Sequence, residues 1–254
     1  MPAPALPPDF ETWTFEGGTA AARHDVAAAV RAALGAGGTL YRWAAAQPGR
    51  SAFTGRGEAY GVALGPTSAV VRHARHGGFL APLLGDRFAG RPRFYHEVEL
   101  SRRLASGGVR TPAVLAGVRY AAGPAHRADI ATEQVAGADL VEVFFGERPP
   151  AGRQRSAALD ALGRLVRHLH DLGYVHPDLQ LRNLLLTGVP GPAPAAWLLD
   201  VDTVRPMRRD GDAERARNLA RFYRSWAKWN QLRGERLTGA DRALFSLAYL
   251  AEEA

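Results

Sequence analysis

The segment YVHPDLQLRNLLL, Tyr174 to Leu186, is followed after the Gly/Pro-rich GVPGPAPA by AWLLDVD. Two short apolar runs flanking a turn-rich loop read as an antiparallel hairpin, with Leu184 to Thr187 laid against Ala196 to Leu199. Pairing Thr187 with Ala196 sets Asn183 opposite Asp200, and opposed residues in such a ladder lie about 4.5 to 5.5 Å apart. An amide oxygen and a carboxylate then converge at one end of the hairpin, close to Asp178 in the preceding loop. Hard oxygen ligands of this kind, few in number, suit a Mg²⁺ that keeps several waters and also binds phosphate oxygens. Asp and Asn favour turns for local reasons, and HPD alone would be read that way. Asn183, Asp200 and the hairpin together point to chemistry.

The elements around this hairpin differ between the two halves of the chain. SAALDALGRLVRHLHDLG places Leu159, Leu162, Leu165, Val166, Leu169 and Leu172 on one helical stripe and ends at Gly173. From Asp212 onward the pattern is again helical. Upstream, SAFTGRGEAYGVALG reads as strand, Gly-rich turn and strand, and TSAVVRHA as a further strand. RFYHEVELSRRLASGG has helical spacing, whereas TPAVLAGVRY and RADIATEQVAG supply two more strands. Three regions follow: an N-terminal extension over 1–45, with a short helix over His24 to Leu34, a mostly β lobe with one helix over 46–137, and a helical lobe over 138–254.

Composition narrows the function classes. With 46% hydrophobic residues the chain can bury a core, yet no apolar run reaches the roughly 18 residues of a membrane span. The opening MPAPALPPDFETW lacks the basic start and apolar block of a signal peptide, so a cytoplasmic protein is expected. The absence of cysteine excludes disulfides and thiolate metal sites. A net charge of +7, in which Lys228 is the one lysine, favours anionic partners, an acidic membrane surface among them. Nucleic acid is not expected, because charge alone supports it and no recognition motif does. The arginine run from Arg205 to Arg224 is interspersed with Asp210, Asp212 and Glu214, and reads as a solvated helix face.

HPDLQLRN resembles the kinase catalytic-loop form HxDLxxxN at His176, Asp178, Leu179 and Asn183, and LLDVD stands where kinases carry DFG. The resemblance implies a protein-kinase-like, two-lobe α+β fold with an antiparallel β lobe and a reduced helical lobe. It implies Asp178 as the catalytic base, Asn183 and Asp200 as holders of Mg²⁺ on the phosphates of ATP, and a structural role for His176. Within that scheme GRGEAYGVAL offers Gly55, Gly57 and Gly61 as the Gly-rich turn over the phosphates. Arg72 takes the place of the third-strand lysine, since Lys228 lies too far along the chain to do so. Glu97, rather than Glu99, is its acidic partner, and Glu133 completes the nucleotide-contacting set.

One family fits better than kinases at large. VVRHARHGGFLAPLLGDRF, RFYHEVELSRRLASGGVRTPAVLAG, YVHPDLQLRNLLL and WLLDVDTVRP are similar to the lipopolysaccharide kinase family, in which arginine replaces that lysine and the DFG position reads DFD. The resemblance implies phosphorylation of a hydroxyl of a 3-deoxy-D-manno-octulosonic acid (Kdo) sugar on a lipid A precursor, at the cytoplasmic face of the inner membrane. Pro177 replaces the arginine of HRD, and no APE-like segment follows Asp200, so a protein acceptor is disfavoured. Two other readings share part of the pattern: a small-molecule kinase of the aminoglycoside or choline type, and a nucleotide-binding pseudokinase.

Overall fold

The computed structural model describes residues 6–36, 38–54, 57–75, 85–90, 92–191, 193–208 and 211–251. The chain divides into two compact units, Met1–Leu100 with Ala113–Gln134, and Ser101–Pro112 with Val135–Ala254.

The first unit is built on a seven-stranded sheet of order β1-β2-β6-β7-β5-β4-β3, antiparallel at every pairing. Its strands are β1 (Phe10–Phe15), β2 (Gly18–Arg23), β3 (Ser51–Thr54), β4 (Glu58–Leu64), β5 (Thr67–His73), β6 (Val114–Ala122) and β7 (Ala125–Glu133). The expected helix forms as α1 (His24–Gly35), and α2 (Leu40–Ala46) follows it. The segment before residue 46 is therefore no appendage: β1 and β2 extend the sheet by pairing β2 with β6.

Strand alternation decides what each face carries. Val71 and Ala69 of β5 join Val26, Val30, Leu40, Leu64, Leu115 and Val118 in the core beneath α1 and α2. The opposite face packs Ala21, Val114 and Ile130 against Phe94 and Val98 of α3 (Phe94–Ser106). Phe94 lies so close to β6 that a Cβ at Gly117 would stand 2.1 Å from its ring. Arg72, one residue past Val71, is consequently on the α3 side, and His73 returns to the α1 and α2 side.

The second unit is helical around two small ladders. A two-residue strand β8 (Ala138–Asp139) leads into α4 (Leu140–Phe145), whose first turn is capped by Asp139 Oδ1 accepting from Val141 N and Glu142 N at 2.8 and 2.9 Å. Then come α5 (Gly152–Asp171), β9 (Tyr174–Val175), β10 (Leu184–Thr187), β11 (Ala195–Leu198), β12 (Arg205–Pro206), α6 (Gly211–Arg233) and α7 (Gly239–Leu250). Leu159, Leu162, Leu165, Val166 and Leu169 of the stripe are buried in α5 as the spacing predicts, whereas Leu172, just past its end, is exposed. α7 lies directly on α5 at Gly163, where a Cβ would come within 2.6 Å of the Phe245 carbonyl oxygen. A capping box between Thr238 and Asp241 starts α7, and Arg155 of α5 grips the same carboxylate bidentately at 2.6 and 2.7 Å. Phe222, stacked on Phe245 at 4.9 Å, and Trp226 place the aromatic face of α6 in this core.

Candidate active site

The hairpin forms, with a register one residue away from the expected one. Leu184 opposes Leu198, Leu186 opposes Ala196 and Thr187 opposes Ala195, so Asn183 falls opposite Leu199 rather than Asp200. The reason is parity. Directly opposed residues share a face, and the buried set Leu184, Leu186, Ala196 and Leu198 pairs internally only in this register. Shifting by one would have set buried Leu186 against half-buried Trp197. Leu199 N donates to the Asn183 carbonyl at 2.9 Å, and the chain then turns through Asp200 in the left-handed region, φ 58° and ψ 45°. A non-glycine residue held there is uncommon, and Asp is among the types that tolerate it. Asp200 thus follows the ladder as a turn residue; it is not a rung.

The loop bearing Asp178 is fixed from several directions. Asn183 lies in a 3₁₀ turn over Leu181–Asn183, and its side-chain NH₂ donates to the Asp178 carbonyl at 2.8 Å. The Asp178 carboxylate receives Arg221 Nη2 on Oδ1 at 2.6 Å and Gln180 Nε2 on Oδ2 at 3.1 Å. With its donor end committed to Asp178, Asn183 has an Oδ1 that accepts from no donor among the described residues. One such carbonyl oxygen and the Asp200 carboxylate are the donor chemistry that Mg²⁺ takes, so these residues fit that ion.

His176 is fully buried and joins the two motifs: its Nε2 donates to the Leu199 carbonyl at 3.0 Å, while Nδ1 lies 3.3 Å from Thr203 Oγ1. Asn218 of α6 supports this residue from behind. Its Oδ1 accepts from His176 N at 3.2 Å and from His170 Nε2 at 3.0 Å, and its Nδ2 donates to the His176 carbonyl at 2.6 Å. His170 completes the chain through Nδ1, which accepts from Tyr249 OH at 2.8 Å. Burial lowers the pKa of both histidines.

In the first unit Arg72 Nη2 donates to Glu97 Oε2 at 2.5 Å, with the Glu97 side chain 2% exposed. Glu133, at the end of β7, accepts from Ala113 N at 3.4 Å. Gly57 lies at the bend before β4 and Gly61 within β4 itself, opposite Ser51 and Val70, where a Cβ would approach Gln134 Oε1 to 2.7 Å. Gly61 is therefore a strand residue, while Gly55 lies outside the described residues. His73, on the other face, bonds Asp129 Oδ1 through Nδ1 at 2.6 Å and Asp86 Oδ2 through Nε2 at 3.1 Å. The hydrogen bond to Asp129 raises its pKa against the effect of burial. Asp129 also accepts from Tyr120 OH at 2.8 Å and Tyr41 N at 2.9 Å.

Arg221, Gln180 and Asn218 are the contacts that the sequence did not reveal. The run from Arg205 to Arg224 is not uniformly a solvated face: Arg205 pairs with buried Glu214, Arg215 with Asp171, and Arg221 with Asp178. The lack of acids from Arg215 to Gly234 was the available signal for Arg221.

A family model described as "Lipopolysaccharide kinase (Kdo/WaaP) family" matches residues 45–249. Among curated relatives, the 3-deoxy-D-manno-octulosonic acid kinase of Photobacterium profundum is 34% identical over 179 residues, covering 68% of this chain and 71% of that protein. The protein of the same name from Xylella fastidiosa is 34% identical over 190 residues, 73% of this chain and 71% of that protein. The one from Vibrio cholerae is 32% identical over 184 residues, with 69% and 72% covered. A solved structure, "WaaP in complex with acyl carrier protein", superposes with a TM-score of 0.55 at 23% identity over 84% of this chain and 83% of that one, and so shares the kinase-like fold. The chain belongs to the lipopolysaccharide kinase (Kdo/WaaP) family, whose members are phosphotransferases.

Proposed function

We propose that the protein transfers the γ-phosphoryl group of ATP to a hydroxyl of a Kdo sugar on a lipid A precursor. The observation that supports it most directly is the setting of Asp178. Its carboxylate is oriented by Arg221 and Gln180, and its own carbonyl is bonded to the Asn183 side chain. In this reading Asp178 accepts the proton of the acceptor hydroxyl as that oxygen bonds to the γ-phosphorus. The bond from γ-phosphorus to the β-phosphate bridging oxygen breaks, and ADP leaves with that electron pair. Asn183 Oδ1 and the Asp200 carboxylate hold Mg²⁺, which when bound neutralises charge on the phosphates. Arg72, held by Glu97, supplies a fixed guanidinium for phosphate oxygens, with Gly57, Gly61 and Glu133 in the nucleotide-contacting set. The acceptor is a lipid, so the reaction belongs at a membrane surface, and an acidic inner-membrane face suits a chain of net charge +7. No helix among the described residues is long and apolar enough to cross a membrane.

The test is to incubate the protein with ATP, Mg²⁺ and Kdo-lipid A and to look by mass spectrometry for one added phosphoryl group. Asp178→Ala should lower kcat by about 10²- to 10⁴-fold, the usual span for a general base. No product from the wild type would reject the acceptor assignment, and turnover with aminoglycosides or choline instead would favour a soluble small-molecule substrate.

A further inference from the structure

On α6 the cations Arg217, Arg221, Arg224 and Lys228 fall at intervals of four, three and four residues, which keeps them within about 60° of helix rotation along a stripe about 16 Å long. Arg217, Arg224 and Lys228 are exposed and form no ion pair or hydrogen bond among the described residues. The nearest acids on the helix are elsewhere engaged or distant: Glu214 is buried against Arg205, and no further acid occurs before Glu235. Like charges three and four residues apart repel one another on a helix, and protein surfaces ordinarily intersperse the two signs. Arg221 has Asp178 as its counter-charge, but the other three cations have none among the described residues, which is costly to the helix unless an anion meets them.

The inner end of the stripe lies beside the catalytic loop. Arg221 is the stripe residue beside the buried edge of α6, next to Ser225, whose Oγ accepts from Leu181 N in the catalytic loop at 3.2 Å. One guanidinium nitrogen of Arg221 is on Asp178, and its Nε and Nη1 make no bond among the described residues. Both bidentate modes of a guanidinium pair Nη2 with Nε or with Nη1, and Nη2 carries a second N–H, so a carboxylate can take that N–H together with one of the two remaining nitrogens while the first N–H stays on Asp178. A bilayer would engage the exposed stripe but would have no reason to engage an arginine tied to the base.

We propose that Arg217, Arg221, Arg224 and Lys228 form the docking surface for an anionic saccharide acceptor, with Arg221 the positioning residue that seats the sugar acid's carboxylate beside Asp178. The inference rests on the sugar-acid reading of the acceptor given above. It assigns to the stripe the part of the substrate remote from the reacting hydroxyl, whose binding orients that hydroxyl.

The experiment measures acceptor KM and kcat in neutral detergent micelles, with Kdo-lipid A as acid and as its Kdo methyl ester. Arg224→Gln/Lys228→Gln removes two exposed charges without touching a packed contact, and should raise acceptor KM about tenfold and flatten its dependence on NaCl. Arg233→Gln, a charge change off the stripe, should leave it as in the wild type. The wild type should prefer the acid to the ester, and Arg221→Gln should abolish that preference, a coupling that general loosening of the loop would not produce. Equal acceptor KM in the stripe variant and the wild type, or an acid preference that survives Arg221→Gln, overturns the proposal while leaving Kdo phosphorylation standing. Loss of binding to phosphatidylglycerol vesicles in the stripe variant, with micellar KM unchanged, would make the stripe a membrane contact and also overturn it. A wild type that fails to phosphorylate Kdo-lipid A at all would reject the acceptor reading and this inference with it.

Discussion

Asn218→Ala is the sharpest test of how the catalytic loop is held. The substitution removes one amide that serves three partners: His176 N–H, the His176 carbonyl and His170 Nε2–H. Both histidines are fully buried and Asn218 is 5% exposed, so the partners have no ready access to bulk water. Each buried polar group left unmatched costs about 1 to 3 kcal/mol, which bounds the loss at roughly 3 to 9 kcal/mol. A water filling the space of the amide would recover part of this, and about 3 to 5 kcal/mol is expected. That is a large share of the roughly 5 to 15 kcal/mol typical of a folded domain, and should lower Tm by about 10 °C or more. Urea denaturation followed by far-UV circular dichroism measures it. Asn218→Asp should not rescue, because it sets a carboxylate oxygen where Nδ2 now donates to a carbonyl at 2.6 Å. A loss below about 1 kcal/mol for Asn218→Ala, or an Asp variant as stable as the wild type, would refute the network as the support of the loop.

Three further outcomes follow from the same structure. Because burial depresses the pKa of His170 and His176 in the folded state, unfolding takes up protons below the free histidine value of about 6.5. Stability of the second unit should be complete above that pH and fall as pH drops from about 6.5 toward 5, by at most about 1.4 kcal/mol per pH unit for each histidine; hydrogen exchange resolved by unit checks this, and a flat profile would contradict it. Arg72→Met leaves the Glu97 carboxylate buried without that cation and should cost about 2 to 3 kcal/mol, most of it recovered in Arg72→Met/Glu97→Gln while phosphoryl transfer stays low; denaturation and turnover measured on both variants separate the two effects. Gly163→Ala should destabilise by about 1 to 3 kcal/mol, although alanine in a free helix gains about 1 kcal/mol over glycine, because the new Cβ meets Ala248 Cβ at 2.7 Å and Tyr249 N at 2.9 Å; a gain in Tm would show that α7 yields easily.

The parts of this fold that were legible in the sequence are those with a local pattern. The leucine run of α5 and the hairpin each carry their own pattern, and β4 to β7 stand out as strand-forming runs between turn residues. The hairpin register was harder, because the loop from Gly188 to Pro194 does not announce how many residues it uses, and parity of burial settles it only when both strands are compared. β2 was illegible for a different reason. Its GTAAAR sequence has low strand preference, and its alanines are there because helices press on both faces: Ala20 and Ala22 toward α1 and α2, Ala21 toward Phe94 and Val98. Arg221 was invisible as a partner of Asp178 because 43 positions separate them and only the fold joins helix to loop. The acid-free stretch of α6 hinted at an anionic contact but could not name it.

The sheet extension made by β1 and β2 bears on how the family's shared region survives in this chain. The family match begins at residue 45, after both strands and α1. A chain starting there would present β6, Val114–Ala122, as a long edge strand whose N–H and C=O groups, now paired with Gly18 to Ala22, face outward. It would also expose Leu115, Ala116 and Val118 and remove the Tyr41 N–H from Asp129. Long apolar edges of this kind recruit strands from other molecules. The N-terminal strands thus cover an edge and an apolar face that the matched region would otherwise expose, and a chain trimmed to residue 45 is expected to elute as larger species than the full chain in size-exclusion chromatography.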